Sequence, residues 1–396
     1  MVRLTRAQQQ ERTRGAVLTA AEAEFTEHGY ATAKVDRIAE RAELTRGAVY
    51  SNFPSKRALY LAVLIDMAER AAAAEHGTAD GIRSPAASRA GGRPHTRTST
   101  AEALGAFARI RLERLPLAGQ SPSADSADSA HLGSLTEVLD DKPIRAAFDQ
   151  VTRLEALLLA LALESPDSHA RTGTPPARQV RRAQLVLRLL DGPGASADPA
   201  LGFGDPFDIA QACAHLGGLA LADTWNPPHL PYVPPARASR DRWDPPGELR
   251  DLLSGRMVGF TEPGVITVLG THRLEAAEEA VRSARAGDLV TVAVTTADHA
   301  ETGRLVRLRI GDFARCLGRA FGPGSRPHLR LVLDERGLLA SAVGVPDADD
   351  TTEYAVRVRH DTIVTRAQGP GAAHAAATHD LTTADVSHTT PDGAAP

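Results

Sequence analysis

Residues 13–64 read TRGAVLTAAEAEFTEHGYATAKVDRIAERAELTRGAVYSNFPSKRALYLAVL, and this stretch decides the fold. Val17, Leu18, Ala21 and Phe25 recur at helical spacing and predict a first helix over roughly residues 6–27. Gly29 is placed to end that helix in a left-handed conformation, with Tyr30 packing back onto Phe25. Val35, Ile38, Ala39 and Ala42 form the buried stripe of a second helix. Glu43 and Leu44 make the turn, and Leu44 is expected to plug the angle between the helices. Thr45 offers a hydroxyl N-cap to a short third helix over residues 46–53. Val49 and Phe53 would point inward on it, leaving Tyr50, Ser51 and Asn52 outward. Pro54 ends this helix by excluding the preceding residue from the α region, and Ser55 can cap a fourth. Lys56 in that fourth helix's first turn opposes the helix dipole. The placement makes sense if a phosphate lies at the helix N-terminus. The commonest use of a helix-turn-helix is to lay one short helix in a DNA major groove.

These residues resemble the N-terminal DNA-binding domain of the TetR family of bacterial repressors. The family pattern is F-x-x-x-G-Y, an I-A within the second helix, G-x-x-Y-x-x-F, then S-K. Here Phe25, Gly29, Tyr30, Ile38, Ala39, Gly47, Tyr50, Phe53, Ser55, Lys56 and Leu59 stand in those places. The resemblance implies that Thr45, Arg46, Gly47 and Ala48 meet base edges. It implies that Tyr50, Asn52 and Lys56 meet phosphates, and that Lys34 and Arg37 add backbone contacts. One position departs: the family usually has Thr or Ser where this chain has Ala33, capping the second helix. Either Thr32, one residue early, takes over that cap or the contact is lost. The family plan further implies a homodimer acting as a repressor on a palindromic double-stranded DNA operator, released when a small-molecule effector binds.

Composition bounds the alternatives. The 396 residues carry a net charge of −4. They contain no apolar run near the ~20 residues of a membrane span and no apolar signal-peptide core, so a cytoplasmic protein without a membrane partner is expected. Cys213 and Cys316 lie far apart and form neither a metal spacing nor a disulfide framework. Neither catalytic residues nor a cofactor or metal site is expected, so the chain reads as a non-enzyme. Residues 1–76 hold 11 Lys and Arg against 10 Asp and Glu. The bases Lys34, Arg37, Arg41, Arg46, Lys56 and Arg57 cluster near the turn, and the acids of the first helix are expected to face away. Binding to DNA should therefore depend steeply on salt.

The fold expected is mainly α: the helix-turn-helix head over 1–76, a flexible linker over 77–100 and a helical ligand-binding and dimerisation domain over 101–226. Apolar stripes predict helices over 101–115, 132–139, 144–163, 177–190 and 207–224. The dimer interface is expected on 177–190 and 207–221, with Gly217 and Gly218 permitting close helix approach. Phe107, Phe148, Leu158, His215 and Trp225 are candidates for lining a pocket, core packing being the alternative for each. A proline-rich connector over 227–257, with seven prolines in 227–248, leads to a small α/β domain over 258–368. Its strand–helix–strand opening and closing hairpin around His360-Asp361 are similar to thioredoxin-like and peroxiredoxin-like domains. That chemistry needs a low-pKa thiolate at a helix N-terminus, and Gly270-Thr271-His272-Arg273 holds none, so a degenerate domain with a residual enzymatic or partner-binding role is the alternative function. Residues 369–396 read as a disordered low-complexity tail.

Overall fold

The computed structural model describes residues 5–81, 99–114, 138–139, 141–164, 177–191, 205–228, 233, 235–322 and 328–379. They divide into a helical unit, 1–224 with 298–327, and a sheet unit, 225–297 with 328–396. Most of the linker expected over 77–100, and the glycine-, proline- and serine-rich stretches between the later helices, lie outside the described residues.

The helical unit begins with α1 (Arg6–Thr32), α2 (Val35–Arg41), α3 (Arg46–Asn52) and α4 (Lys56–Gly81). Helix α1 breaks at Gly29, whose φ of 70° an L side chain rarely adopts. The break aims Tyr30 inward. Its ring lies 6.3 Å from Phe25 and 4.9 Å from Tyr60 of α4, while Phe25 and Tyr60 meet edge to face at 4.9 Å. Val17, Ala21, Ile38, Val49, Phe53, Leu59 and Leu61 close one apolar core beneath the turn. Among the described residues, longer helices follow at α5 (Thr100–Arg114), α6 (Lys142–Leu163), α7 (Val180–Asp191) and α8 (Pro206–Leu216). Val138 is helical and buried, and the remainder of the helix expected over 132–139 lies outside the described residues, Leu139 apart. Gly217 does permit close approach, but within the chain: a Cβ there would lie 2.6 Å from the Ala101 backbone of α5. The last helix of the region stops at Leu216 rather than running on to 224.

The sheet unit contains a six-stranded sheet of order β1-β8-β7-β4-β5-β6. Its strands are β1 (Arg237–Arg242), β4 (Gly264–Gly270), β5 (Leu289–Thr295), β6 (Leu329–Leu333), β7 (Glu353–Arg359) and β8 (Thr362–Gln368). A two-stranded ribbon pairs β2 (Leu249–Arg250) with β3 (Met257–Val258). Strands β4, β5 and β6 are parallel, in register Gly264↔Leu289 and Val290↔Leu329. β7 runs antiparallel to β4, Gly264↔Val358. β7 and β8 form the expected hairpin, with His360 and Asp361 at φ 43° and 57° in its turn. Among the described residues this unit also holds the short helices α9 (Ala277–Ser283), α11 (Leu338–Val343) and α12 (Ala372–Thr378). A longer helix, α10 (Arg304–Phe321), lies between β5 and β6 in sequence but belongs to the helical unit.

Four expectations need correction. The chain is not mainly α throughout, because a substantial mixed sheet occupies its C-terminal part. The stretch 227–257 is not merely a connector: β1 extends the sheet beside β8, and Trp243 is buried, its indole N–H donating to the Phe260 carbonyl at 2.7 Å. Prolines flank that strand at 235 and 245, where an edge strand tolerates them. The α/β region 258–368 is interrupted, because α10 carries an apolar stripe of Leu305, Leu308, Phe313 and Cys316 that is buried in the helical unit. The tail begins later than 369, since Ala372–Thr378 forms a buried helix. Repetitive alanine reads as low complexity, yet alanine is the strongest helix former. Cys213 and Cys316 both lie in the helical unit, so thiol chemistry has no place in the sheet unit.

Candidate nucleic-acid interface

Helix α3 is built as the sequence predicts. Thr45 has extended backbone, and its hydroxyl accepts the Ala48 N–H at 3.2 Å. Glu43 in the preceding turn takes φ 55°, and the Leu44 N–H reaches back to the Ala39 carbonyl at 2.9 Å. Val49 and Phe53 are buried. Thr45, Arg46, Gly47 and Tyr50 are exposed together, whereas Ala48 and Asn52 are half-buried. Asn52 does not point outward: its amide donates to the Ala48 carbonyl at 2.9 Å. Arg46 lies over the Tyr50 ring at 5.5 Å and reaches Asp36 of α2 at 3.3 Å. Tyr50, then Asp36, raise its pKa above the usual guanidinium value, so it stays charged.

The other predicted contacts are placed around this helix. Lys34 and Arg37 are exposed at the start of α2. Lys56 is half-buried, donates to the Ala31 carbonyl at 3.0 Å and lies 4.9 Å above the Tyr30 ring. It therefore ties α4 to the end of α1 as well as standing at the α4 N-terminus. Ser55 caps α4 by accepting the Ala58 N–H at 2.9 Å.

The structure resolves the question at Ala33. Thr32 does not cap α2, because its hydroxyl donates to the His28 carbonyl one turn back in α1. Lys34 stands at the cap position with no side-chain bond of its own. Instead Glu24 of α1, fully buried, accepts the Lys34 N–H at 3.2 Å. The same carboxylate lies 3.6 Å from Arg37 and 3.5 Å from Arg41. Arg41 also forms a two-pronged bridge to Glu27, whose pKa is lowered chiefly by that bond. Of the acids of α1, Glu24 and Glu27 thus do not face away from the turn, whereas Glu22 pairs with Arg70 of α4. Glu24 and Glu27 hold Arg37 and Arg41 of α2 in place. Glu24, Glu27 and His28 converge closely enough to suggest a cation site, but the Arg41 guanidinium already fills that role. Glu24 was missed in the sequence, although an acid beside Phe25 on the apolar face of α1 was the available signal.

Of the pocket candidates, Phe107 and Leu158 are buried in the bundle, with Phe107 5.5 Å from Phe313 of α10. Phe148 stacks under Arg309 at 4.9 Å. His215 is exposed and bonds its own helix at Gln211, and Trp225 belongs to the sheet unit, 6.0 Å from His374. Phe107 and Phe148 thus both pack against α10, through Phe313 and Arg309.

A short capped helix presenting Thr45, Arg46, Gly47 and Tyr50 over a second, buried-faced helix is a helix-turn-helix DNA-binding head. Residues 17–63 match the family of bacterial regulatory proteins named tetR, and this segment is a TetR-family DNA-binding domain. Over 51 residues the chain is 47% identical to the HTH-type transcriptional activator FasR of Mycolicibacterium smegmatis. That match covers 13% of this chain and 23% of FasR, so it spans less than a quarter of the relative's length. Among solved structures, a transcriptional regulator from Rhodococcus sp. Rha1 is 22% identical with a TM-score of 0.29, covering 52% of this chain and 94% of that one. FadR from Bacillus subtilis, solved in complex with stearoyl-CoA, is 13% identical with a TM-score of 0.25, covering 51% and 96%. Among the described residues no helix is long and apolar enough to cross a membrane.

Proposed function

We propose that this protein is a transcription regulator that binds a palindromic operator as a homodimer and acts as a repressor relieved by a small-molecule effector. The observation that carries the reading is the exposed face of α3: Arg46, Gly47 and Tyr50 side by side, held by the Thr45 cap over a buried Val49 and Phe53. Thr45, Arg46, Gly47 and Ala48 are assigned to base edges. Lys34, Arg37, Tyr50 and Lys56 are assigned to the phosphate backbone. An exposed guanidinium flanked by Tyr50 and Asp36 suits bidentate recognition of guanine. Lys56 and the N–H groups of α4 suit a phosphate.

The homodimer is supported by apolar side chains left in solvent on the helices expected to carry it. Phe207 on α8 is 75% exposed, Leu219 just beyond it 43%, and Leu185 on α7 39%. Exposed large apolar groups gathered on neighbouring helices mark association surfaces. The effector is assigned to the bundle of α5 to α8, and it relieves repression only by preferring one separation of the two recognition helices.

The test is a gel-shift or anisotropy titration of the full chain against its own upstream DNA at several salt concentrations. The reading expects a sequence-selective complex whose log K falls linearly with log salt. Selective binding that never appears at any salt would sink it.

A further inference from the structure

The chain between β5 and β6 leaves the sheet and joins the helical unit, where it closes on the end of the recognition helix. Asp298 opens it by accepting the Glu301 N–H at 3.0 Å, starting a π-type turn at His299–Gly303 that runs directly into α10. Such turns are rare and concentrate at functional positions. Here the turn delivers Glu301 to the start of α4. One carboxylate oxygen of Glu301 accepts from the Ser55 hydroxyl, the group that caps α4 through the Ala58 N–H. The other accepts from Arg57 at 2.6 Å, and Arg57 also reaches Asp141, the N-cap of α6, at 2.9 Å.

Arg304 continues the contact. It donates to the Ala58 carbonyl at 2.7 Å, and its guanidinium lies 5.4 Å from the centre of the Phe53 ring. Phe53 is the residue on which α3 ends. Further along, Arg307 pairs with Glu69 at 2.6 Å and Arg315 donates to the Ala68 carbonyl at 3.0 Å. Leu305 and Leu308 belong to the same apolar core as Val49 and Phe53.

The two contacts that matter fall on the corner between α3 and α4. Residues 53–55 are the covalent link from the recognition helix into the bundle, and they set the angle at which α3 leaves it. Glu301 holds the cap on one side of that link, and Arg304 covers Phe53 on the other. We infer that Glu301 and Arg304 are positioning residues for DNA recognition, completing a DNA-binding head from roughly 250 residues downstream. The inference rests on the DNA-binding reading above and adds to it the requirement for this later segment.

Simple electrostatics makes the opposite prediction for Glu301. A carboxylate near a phosphate-facing surface weakens DNA binding, so removing its charge should tighten it. A positioning role predicts weakening. The experiment uses the full-length chain and a fluorescent duplex enriched by the wild-type protein from a random-sequence library, followed by anisotropy over a salt series. Wild type gives selective, salt-dependent binding. If it does not, the DNA-binding reading itself fails, before any variant is compared.

Given wild-type binding, Glu301→Gln is expected to bind about tenfold more weakly with an unchanged salt slope, because no phosphate contact is lost. The double variant Arg57→Gln with Glu301→Gln is expected to lose less than the sum of the two single losses, because the two share one pair while each also has a partner of its own, Asp141 for Arg57 and Ser55 for Glu301. Arg304→Lys keeps the charge and loses the planar cover on Phe53. It is expected to weaken binding about threefold, again without a change in slope. It serves as the second arm if Glu301→Gln lowers the thermal midpoint. Unchanged or tighter binding by both Glu301→Gln and Arg304→Lys would overturn the inference. So would independent, additive losses at Arg57 and Glu301.

Discussion

Two seven-residue helices in different units meet the same difficulty in different ways. Helix α2 in the DNA-binding head and helix α12 in the sheet unit both lack a side-chain cap of their own. Both are too short to be stable alone. Each is held at its N-terminus by a buried carboxylate from another element: Glu24 of α1 for the first, Glu353 of β7 for the second. Glu353 accepts the N–H groups of Gly371 and Ala372 at 2.6 and 3.2 Å with one oxygen, and Arg273 at 2.6 Å with the other. Four residues along the same strand, Arg357 donates to the Ala377 carbonyl at 2.8 Å and to Asp288 at 2.6 Å. One strand thus supplies opposite charges to the two ends of α12, matching its dipole.

Glu24 is less completely used. One of its oxygens is buried without a hydrogen bond, and its arginines stand 3.5 to 3.6 Å away. The difference fits the tasks. Helix α12 is buried in a core, whereas α2 carries exposed Lys34 and Arg37 beside the proposed DNA-binding surface. The sheet unit repeats the device elsewhere: Asp334 accepts the N–H groups of Leu338 and Ala340, both at 2.8 Å, to start α11.

The comparison breaks most readily at Glu353. Glu353→Ala is expected to cost about 3 kcal/mol, because it removes the acceptor of the Gly371 N–H and the buried carboxylate that Arg273 pairs with. Both tryptophans, Trp225 and Trp243, lie in the sheet unit, so the urea midpoint of their fluorescence reads this loss directly. A cost below that of Glu24→Ala would reverse the ranking argued here. Glu24→Ala is expected to cost about 1–2 kcal/mol, followed by far-UV circular dichroism. It should also weaken operator binding through the displaced α2.

A smaller effect separates the units by pH. Burial, then repulsion from Glu353, pushes the Glu279 carboxyl up to about 7. The folded state therefore holds a proton that the unfolded chain has released above its ordinary value of 4.5. Stability from this group is fullest at low pH and falls as pH rises from about 4.5 to about 7, then levels off. The tryptophan-detected midpoint should fall across that window, and Glu279→Gln should flatten it. A wild-type profile that rises with pH between 5 and 7 would contradict the assignment.

How much of this was legible in the sequence differs between the units for a physical reason. The head is made of local contacts, so Val17, Phe25, Ile38, Val49 and Phe53 announce it by spacing alone, and Thr45 announces its own cap. Glu24, Asp36 and Glu301 were not legible because their partners lie 10 or more residues away, at Lys34, Arg46 and Ser55. The β7–β8 hairpin was legible from His360-Asp361. The role of α10 was not, because its apolar stripe fits a helix on a sheet as well as a helix in a bundle. Ala372–Thr378 was hidden by composition: its six buried residues are five alanines and one histidine, which carry no periodic signal.

The central claim is that the exposed face of α3 reads bases. The measurement that tests it most directly compares wild type, Arg46→Ala and Lys56→Ala on the enriched duplex and its single-base variants over a salt series. Lys56→Ala should weaken all duplexes alike and lower the salt slope by about 1. Arg46→Ala should relax discrimination at one position of each half-site by about 1–3 kcal/mol. Equal loss on every duplex for Arg46→Ala would contradict the claim.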